Sequence, residues 1–253
     1  MARLSWLPVL GLVLAWEVAA RSGAFSAFVL PAASNVAQRI WTDAASGDLF
    51  AHLGLTLYRS LAGFIIAAAL GLALGLAMTR MRAVRWLFDP LISVGFPMPK
   101  IVFLPVVTLW LGFNDTSKIT MIVFDAVFPV VAATIAGAQG VEKELIWSAR
   151  SLGAGERRLV AEIVLPAALP QILTGLQVAL PIALIVCVVA EMLSGGRGLG
   201  GAMLSASRMA DSPGVFAGIV EIAVAGYVLI KGLAFLRARL LVWHPEALLP
   251  ATV

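Results

Sequence analysis

Residues 144–170 read ELIWSARSLGAGERRLVAEIVLPAALP, a charge-dense interruption between two long apolar runs. The chain around it has 253 residues, of which 61% are hydrophobic and 13% charged, and its mean hydropathy is +0.98. A soluble domain carries roughly 45–50% apolar residues and about 25% charged ones. This balance defines an integral membrane protein. Lys and Arg total 18 against 14 Asp and Glu, giving a sequence pI near 9.7. No basic run is long enough to track a phosphate backbone, so nucleic acid is excluded as a partner and the excess charge is read as membrane topology.

The one cysteine, Cys187, sits in an apolar run, which leaves no disulfide framework and no thiolate metal site within one chain. His52 and His244 are far apart and lack ligand spacing, so no metal site is expected. The amino terminus has two readings. Arg3, the apolar stretch LSWLPVLGLVLAW and the small residues VAA resemble a secretory signal, whereas Leu4–Ala20 is just long enough for a first membrane helix. The helix is the preferred reading.

Windows of about 20 apolar residues place further spans at Leu55–Met78, Trp86–Gly112, Ile119–Ala138, Leu169–Leu193 and Val215–Phe235, six with the first. The third contains Pro90, Pro97, Pro99 and Pro105, each of which removes a backbone donor. A broken helix, or an interfacial helix leading into a span, is expected there, inside the bundle where irregular backbone is tolerated. With the amino terminus inside, Arg80, Arg82 and Arg85 fall in one cytoplasmic loop, and Lys143, Arg150, Arg157 and Arg158 in the next. Arg237 and Arg239 follow the last span. The outer loops hold Arg21, Arg39, Lys118, Arg197 and Arg208, and this bias places both termini in the cytoplasm.

The opening stretch then faces the cytoplasm. ELIWSARSL has helix-forming character, and Gly153 with Gly155 ends that helix. ERRLVAEIVL resumes an amphipathic pattern, with Leu159, Val160, Ile163 and Val164 on one side and Glu156, Arg157 and Glu162 on another. Pro166 and Pro170 are expected to mark the turn into the fifth span.

From Trp147 the spacing runs W-S-A, three residues, Gly153, nine residues, then Ile163-x-Leu165-Pro166. This resembles the EAA motif of the permease subunits of importer-type ABC transporters. Ala149, Gly153, Ile163, Leu165 and Pro166 match it, while Trp147 and Ser148 replace Glu and Ala. Upstream, PKIVFLPVVTLWLGFNDTSKI and FPVVAATIAGAQGV resemble the nitrate, sulfonate and taurine branch, as does AEMLSGGRGLGGAM downstream.

The resemblance implies an all-α type I importer permease fold, with residues 1–253 forming one transmembrane domain and a coupling segment at about 144–166. It implies a multi-pass protein of the bacterial inner membrane that acts as a pathway subunit and not as an enzyme. The implied partners are a second permease copy, two cytoplasmic ATPase subunits, an extracytoplasmic solute-binding protein and membrane lipid. ATP and Mg are used by the ATPase, and this chain holds no cofactor. In agreement, no G-x-x-x-x-G-K-[ST] surrounds Lys100, Lys118, Lys143 or Lys231. The coupling role falls on Trp147, Ser148, Ala149, Arg150 and Leu152, with Gly153 as the turn and Ile163, Leu165 and Pro166 completing the motif. Ala149 and Leu152 supply its small and apolar docking face. The implied solute is a small anion such as a sulfonate, taurine or nitrate; the branch also carries pyrimidine-type vitamin precursors and aromatic acids.

Other residues attract attention. GRGLGG at 196–201 fits a dinucleotide fingerprint formally but lacks its strand-turn-helix context, so it is read as a flexible outer loop touching the binding protein or as a plain turn. Arg59, Asp125, Glu191 and Glu221 fall within about 11 Å of the outer ends of their spans. They are expected to form one polar layer, either pairing for registry, Arg59 with Asp125 or Glu221, or meeting solute. Lys100 follows Pro97-Met98-Pro99 and either meets an anionic solute or holds freed carbonyls. Glu17 reaches the interface or pairs. Gly63, Gly71 and Gly75 read as a close-packing face, and Trp41, Trp86, Trp110 and Trp243 as interfacial anchors. Two rivals remain: an ion-coupled transporter would predict inverted repeats, and a membrane enzyme a cluster of catalytic groups. Neither feature stands out.

Overall fold

The computed structural model describes residues 7–243. Leu4–Trp6 of the expected first span and His244 lie outside them. In chain order the helices are α1 (Leu7–Arg21), α2 (Ala33–Ser46), α3 (Asp48–Arg80), α4 (Arg82–Gly95), α5 (Leu104–Leu111), α6 (Asp115–Gln139), α7 (Lys143–Ser151), α8 (Glu156–Arg158), α9 (Leu165–Ser194), α10 (Leu199–Arg208) and α11 (Ser212–Leu240). A 3₁₀ turn, Lys100–Phe103, leads into α5, and a π turn, Leu159–Val164, joins α8 to α9. No strand occurs among the described residues. The chain groups into two compact units. One comprises Met1–Tyr58 with Val188–Gly226, the other Arg59–Cys187 with Tyr227–Val253.

Among the described residues four helices are long and apolar enough to cross a membrane: α3, α6, the continuous 39-residue run Glu156–Ser194, and α11. They contain the second, fourth, fifth and sixth expected spans. The described part of the first, α1, has 15 residues, about 22 Å against a hydrocarbon core of about 30 Å. The proline-rich third segment is a bent pair, α4 and Lys100–Leu111, broken by 98°. Arg82 and Arg85, expected in a loop, belong to α4, because only Met81 separates it from α3.

Glycines decide how α3 meets α6. A Cβ at Gly63 would lie 2.5 Å from Ile122, one at Gly71 2.6 Å from Val130, and one at Gly75 2.6 Å from Thr134. The close-packing face read from the sequence is therefore real. The three pairs share one offset, 59 residues, and both numbers rise together, so α3 and α6 run parallel. Parallel neighbours that both span require the chain between them to return to the starting side. The bent pair is thus a full crossing and not a re-entrant loop. α6 and α9 pack antiparallel, with Gly175 against Ala133 and Gly137 against Ala168. Between α6 and α9 lies the polar interruption, on the side where α3 ends.

Pro166 and Pro170 do not turn the chain. The helix runs through both, and the π turn just before Pro166 supplies the reason. Proline cannot donate to the carbonyl four residues earlier, and its ring crowds that carbonyl. Widening the preceding turn, with the Leu165 N–H donating to the Val160 carbonyl, makes room without breaking the helix.

Candidate functional site

The polar interruption folds as α7, with Glu144 in its first turn and Arg150 in its last, the signs that the helix dipole favours. It ends in a Schellman motif: the Gly153 N–H donates to the Arg150 carbonyl at 3.0 Å, and the Ala154 N–H to the Ala149 carbonyl at 3.0 Å. Gly153 takes φ +83°, and no atom lies within 4 Å of where its Cβ would be. Backbone conformation alone calls for glycine here. Trp147 is 61% exposed and Leu152 88%, and Ser148 and Arg150 are also exposed. Ala149 is buried, so it packs inward and is not part of the outward face expected of it. Ile163 and Leu165 are half-buried and Pro166 is exposed.

Beyond the Gly153 turn, Glu156 accepts from Arg150 at 2.8 Å and from Arg80, the last residue of α3, at 3.4 Å. One carboxylate thus joins the segments on either side of the glycine and the carboxyl-terminal end of α3. All three side chains are partly exposed, where single pairs contribute about 0.2–1 kcal/mol.

Arg59 and Asp125 do not share one layer. Arg59 is 4% exposed and donates to Asp115 through Nε at 2.8 Å, in place of the expected Asp125 or Glu221. The reason is axial distance: Asp115 opens α6 beside the Asn114 cap, which accepts from the Ser117 N–H at 3.1 Å, and Asp125 lies about 15 Å further along. Asp125 instead receives Lys100 Nζ at 3.0 Å. The same ammonium donates to the carbonyls of Met98 and Phe96 at 3.3 and 3.4 Å and sits 4.4 Å from the Phe128 ring centroid. Three donors meet three acceptors, and Lys100 is 3% exposed. It thereby holds two carbonyls of the proline break. Lys118, expected in an outer loop, is buried in the first turns of α6.

Glu191 organises the glycine-rich stretch. Its fully buried carboxylate accepts from Thr56 Oγ1 at 2.9 Å and from the Gly200 N–H at 3.1 Å. Thr56 Oγ1 accepts in turn from the Leu199 N–H, and His52 Nδ1 accepts from the Gly198 N–H at 3.0 Å. GRGLGG is therefore tied down and not a free loop. A Cβ at Gly198 would lie 2.3 Å from the Glu191 carboxylate, and φ there is +131°. Glu221 borders a polar cavity of about 300 Å³ with Arg39, Asp43, His52 and Asp211, and its Oε1 has no hydrogen-bond partner among the described residues. In that cavity burial opposes the charge on Arg39, but hydrogen bonds and charge from Asp43 and Asp211 outweigh it and raise the guanidinium pKa. Glu17 pairs with Arg21 and accepts from the Ser34 N–H at 3.1 Å. The indoles of Trp41, Trp86, Trp110 and Trp243 are exposed, as anchors would be. Among the described residues no group of three or more His, Cys, Asp or Glu side chains could hold a metal ion.

Sequence reasoning missed Asp115, Thr56 and His52 as partners. It also missed that Arg82, Arg85, Asp89 and Ser93 recur at helical spacing along α4, a signal hidden by reading the arginines as loop residues.

Residues 67–241 match the family described as "Binding-protein-dependent transport system inner membrane component". The taurine transport system permease protein of Escherichia coli (strain K12) is 34% identical over 240 residues, covering 93% of this chain and 87% of that one. The formylaminopyrimidine transport permease protein of Halalkalibacterium halodurans is 30% identical, covering 93% of each. Among solved structures, an amino acid ABC transporter crystallised with histidines superposes at TM-score 0.62 and 19% identity, covering 78% of this chain and 94% of that one. The MetNI methionine ABC transporter in inward-facing form gives 0.53 and 16%, with 74% and 94% covered. The fold is that of the type I ABC importer permeases, and the family match defines the class. This chain belongs to the binding-protein-dependent transport family as a multi-pass membrane permease, a transport subunit and not an enzyme, and membership implies ATPase and binding-protein partners.

Proposed function

We propose that two copies of this chain form the pathway of an ABC importer for a small organic anion of the sulfonate class, with both termini in the cytoplasm and lipid around the outer helices. The taurine permease relative supports the sulfonate class, since taurine carries a sulfonate. Two separate ATPase subunits bind ATP and Mg and drive alternating access, and this chain contributes no cofactor. The observation that carries the coupling reading is α7: a short helix presenting Trp147, Ser148, Arg150 and Leu152, released by a glycine at φ +83°. A stiff helix seated in a groove of the ATPase transmits displacement as a body, and the energy comes from the difference in ATPase contacts between states. Trp147 stands where the motif has Glu, so either the groove is matched to an aromatic side chain or Glu144, one turn earlier, supplies the charge.

The test is to express the chain with a candidate ATPase and binding protein, purify the assembly and measure ATP-dependent uptake of taurine and other alkanesulfonates into vesicles. Uptake that persists without any ATPase overturns the importer reading. Trp147→Glu is expected to lower transport per ATP hydrolysed; unchanged coupling would rule out an aromatic pocket.

A further inference from the structure

The bent crossing presents α4 in an unusual state. At 3.6 residues per turn its side chains sort into three faces. Val84, Phe88, Ile92 and Gly95 form the packed face; a Cβ at Gly95 would lie 2.4 Å from Phe128 of α6. Leu87, Leu91 and Val94 form an apolar face, 58–68% exposed. Arg82, Arg85, Asp89 and Ser93 form a third face, exposed and polar, bordering an open groove of about 700 Å³ with Trp86, Pro90 and the edge residue Leu87.

The apolar face has a natural neighbour in lipid, and the polar one does not. Ser93 lies about 16 Å along the helix from Arg82, well into a crossing segment, and charged groups facing hydrocarbon cost several kcal/mol each. Arg82 and Arg85 open the helix at the membrane boundary, and Asp89, about 10 Å further in, and Ser93 beyond it continue their line into the crossing and call for water. Resting on the importer reading above, we infer that this stripe is a wall of the solute pathway's cytoplasmic half, with Arg82 and Arg85 drawing an anionic solute toward its exit and Asp89 and Ser93 holding the water that accompanies it. Lys100, saturated by its own acceptors, is not the cation the solute meets here.

The single native cysteine allows a direct test. Cys187 is fully buried and is replaced by Ala. Single cysteines are then placed at Arg85, Asp89 and Ser93, and as controls at Leu91 and Val94, in the assembled transporter with its ATPase in vesicles. A charged, membrane-impermeant thiol reagent is applied to the cytoplasmic side. The stripe positions are expected to react at least tenfold faster than the controls, with Ser93→Cys, the nearest to isosteric, carrying the most weight. Saturating taurine is expected to slow the reaction at position 85 severalfold. Equal slow labelling of both sets means that a second copy or lipid covers the stripe, and equal fast labelling means that α4 lies in the interface; either overturns the inference. Wild-type uptake is measured in parallel. A flat labelling pattern with ATP-driven uptake intact removes only the stripe, whereas uptake independent of the ATPase removes the importer reading.

Discussion

Gly153 and Lys100 show how much a single side chain can set. At φ +83° an L-residue costs roughly 1–2 kcal/mol, and here open space leaves no steric complication. Gly153→Ala should therefore lower transport severalfold in a protein that still inserts and melts within a few degrees of the parent, while Gly153→Asn, whose side chain tolerates left-handed backbone, should retain more. The measurements are vesicle uptake and thermal unfolding in detergent. Lys100→Met leaves the Asp125 carboxylate, with side-chain exposure 23%, facing a vanished partner, and the penalty for orphaning one member of a buried pair is about 3–5 kcal/mol. A large loss of folded protein is expected. The double variant Lys100→Met with Asp125→Leu should recover part of it, and a double variant as unstable as the single one would show that the freed carbonyls, not the carboxylate, set the cost.

At the scale of elements, register is the testable quantity. Gly71→Ala should lower thermal stability in detergent because its Cβ would lie 2.6 Å from Val130, and Val130→Gly on the partner helix should recover part of the loss, whereas Ile122→Gly should not, since two turns of helix separate positions 122 and 130. Recovery with Ile122→Gly in place of Val130→Gly would contradict this α3–α6 register. The long apolar helices were legible because about 20 apolar residues admit few other folds, and the glycine face was legible from its i, i+4 spacing. Charge partners were not. A carboxylate's position along the sequence says nothing about which helix will stand beside it, which is why Arg59 was matched to Asp125 and the Asp115 at the cap went unnoticed. The continuation of α9 through Pro166 was hidden for a different reason: a π turn absorbs a proline that ordinary helix geometry rejects, and nothing in the local composition announces it. Burial of Ala149 likewise depends on what lies beneath α7, which its motif does not encode.

For the whole molecule, the crossings fix relative sides. The chain between α6 and α9 lies where α3 ends, so a reporter in the Gly153–Gly155 loop and one beside Met81 must be protected together. Protease or thiol accessibility in oriented vesicles should find both on the cytoplasmic side, along with the residues after Arg239. A split result would refute the parallel arrangement and the charge-based orientation at once. The same experiment with the ATPase bound should shield the α7 loop.

The stripe Gly63, Ala67, Gly71 and Gly75 meets Ile122, Ala126, Val130 and Thr134 at one offset, and Ala67 and Ala126 within it are both fully buried. The glycines are slots that accept a β-branched knob, and the alanine is a slot already filled. Sliding α6 by one turn in either direction would bring Ile122 or Val130 onto the methyl of Ala67. That methyl is a detent against axial sliding, so a motion that shifts α6 along α3 must first lift the two helices apart.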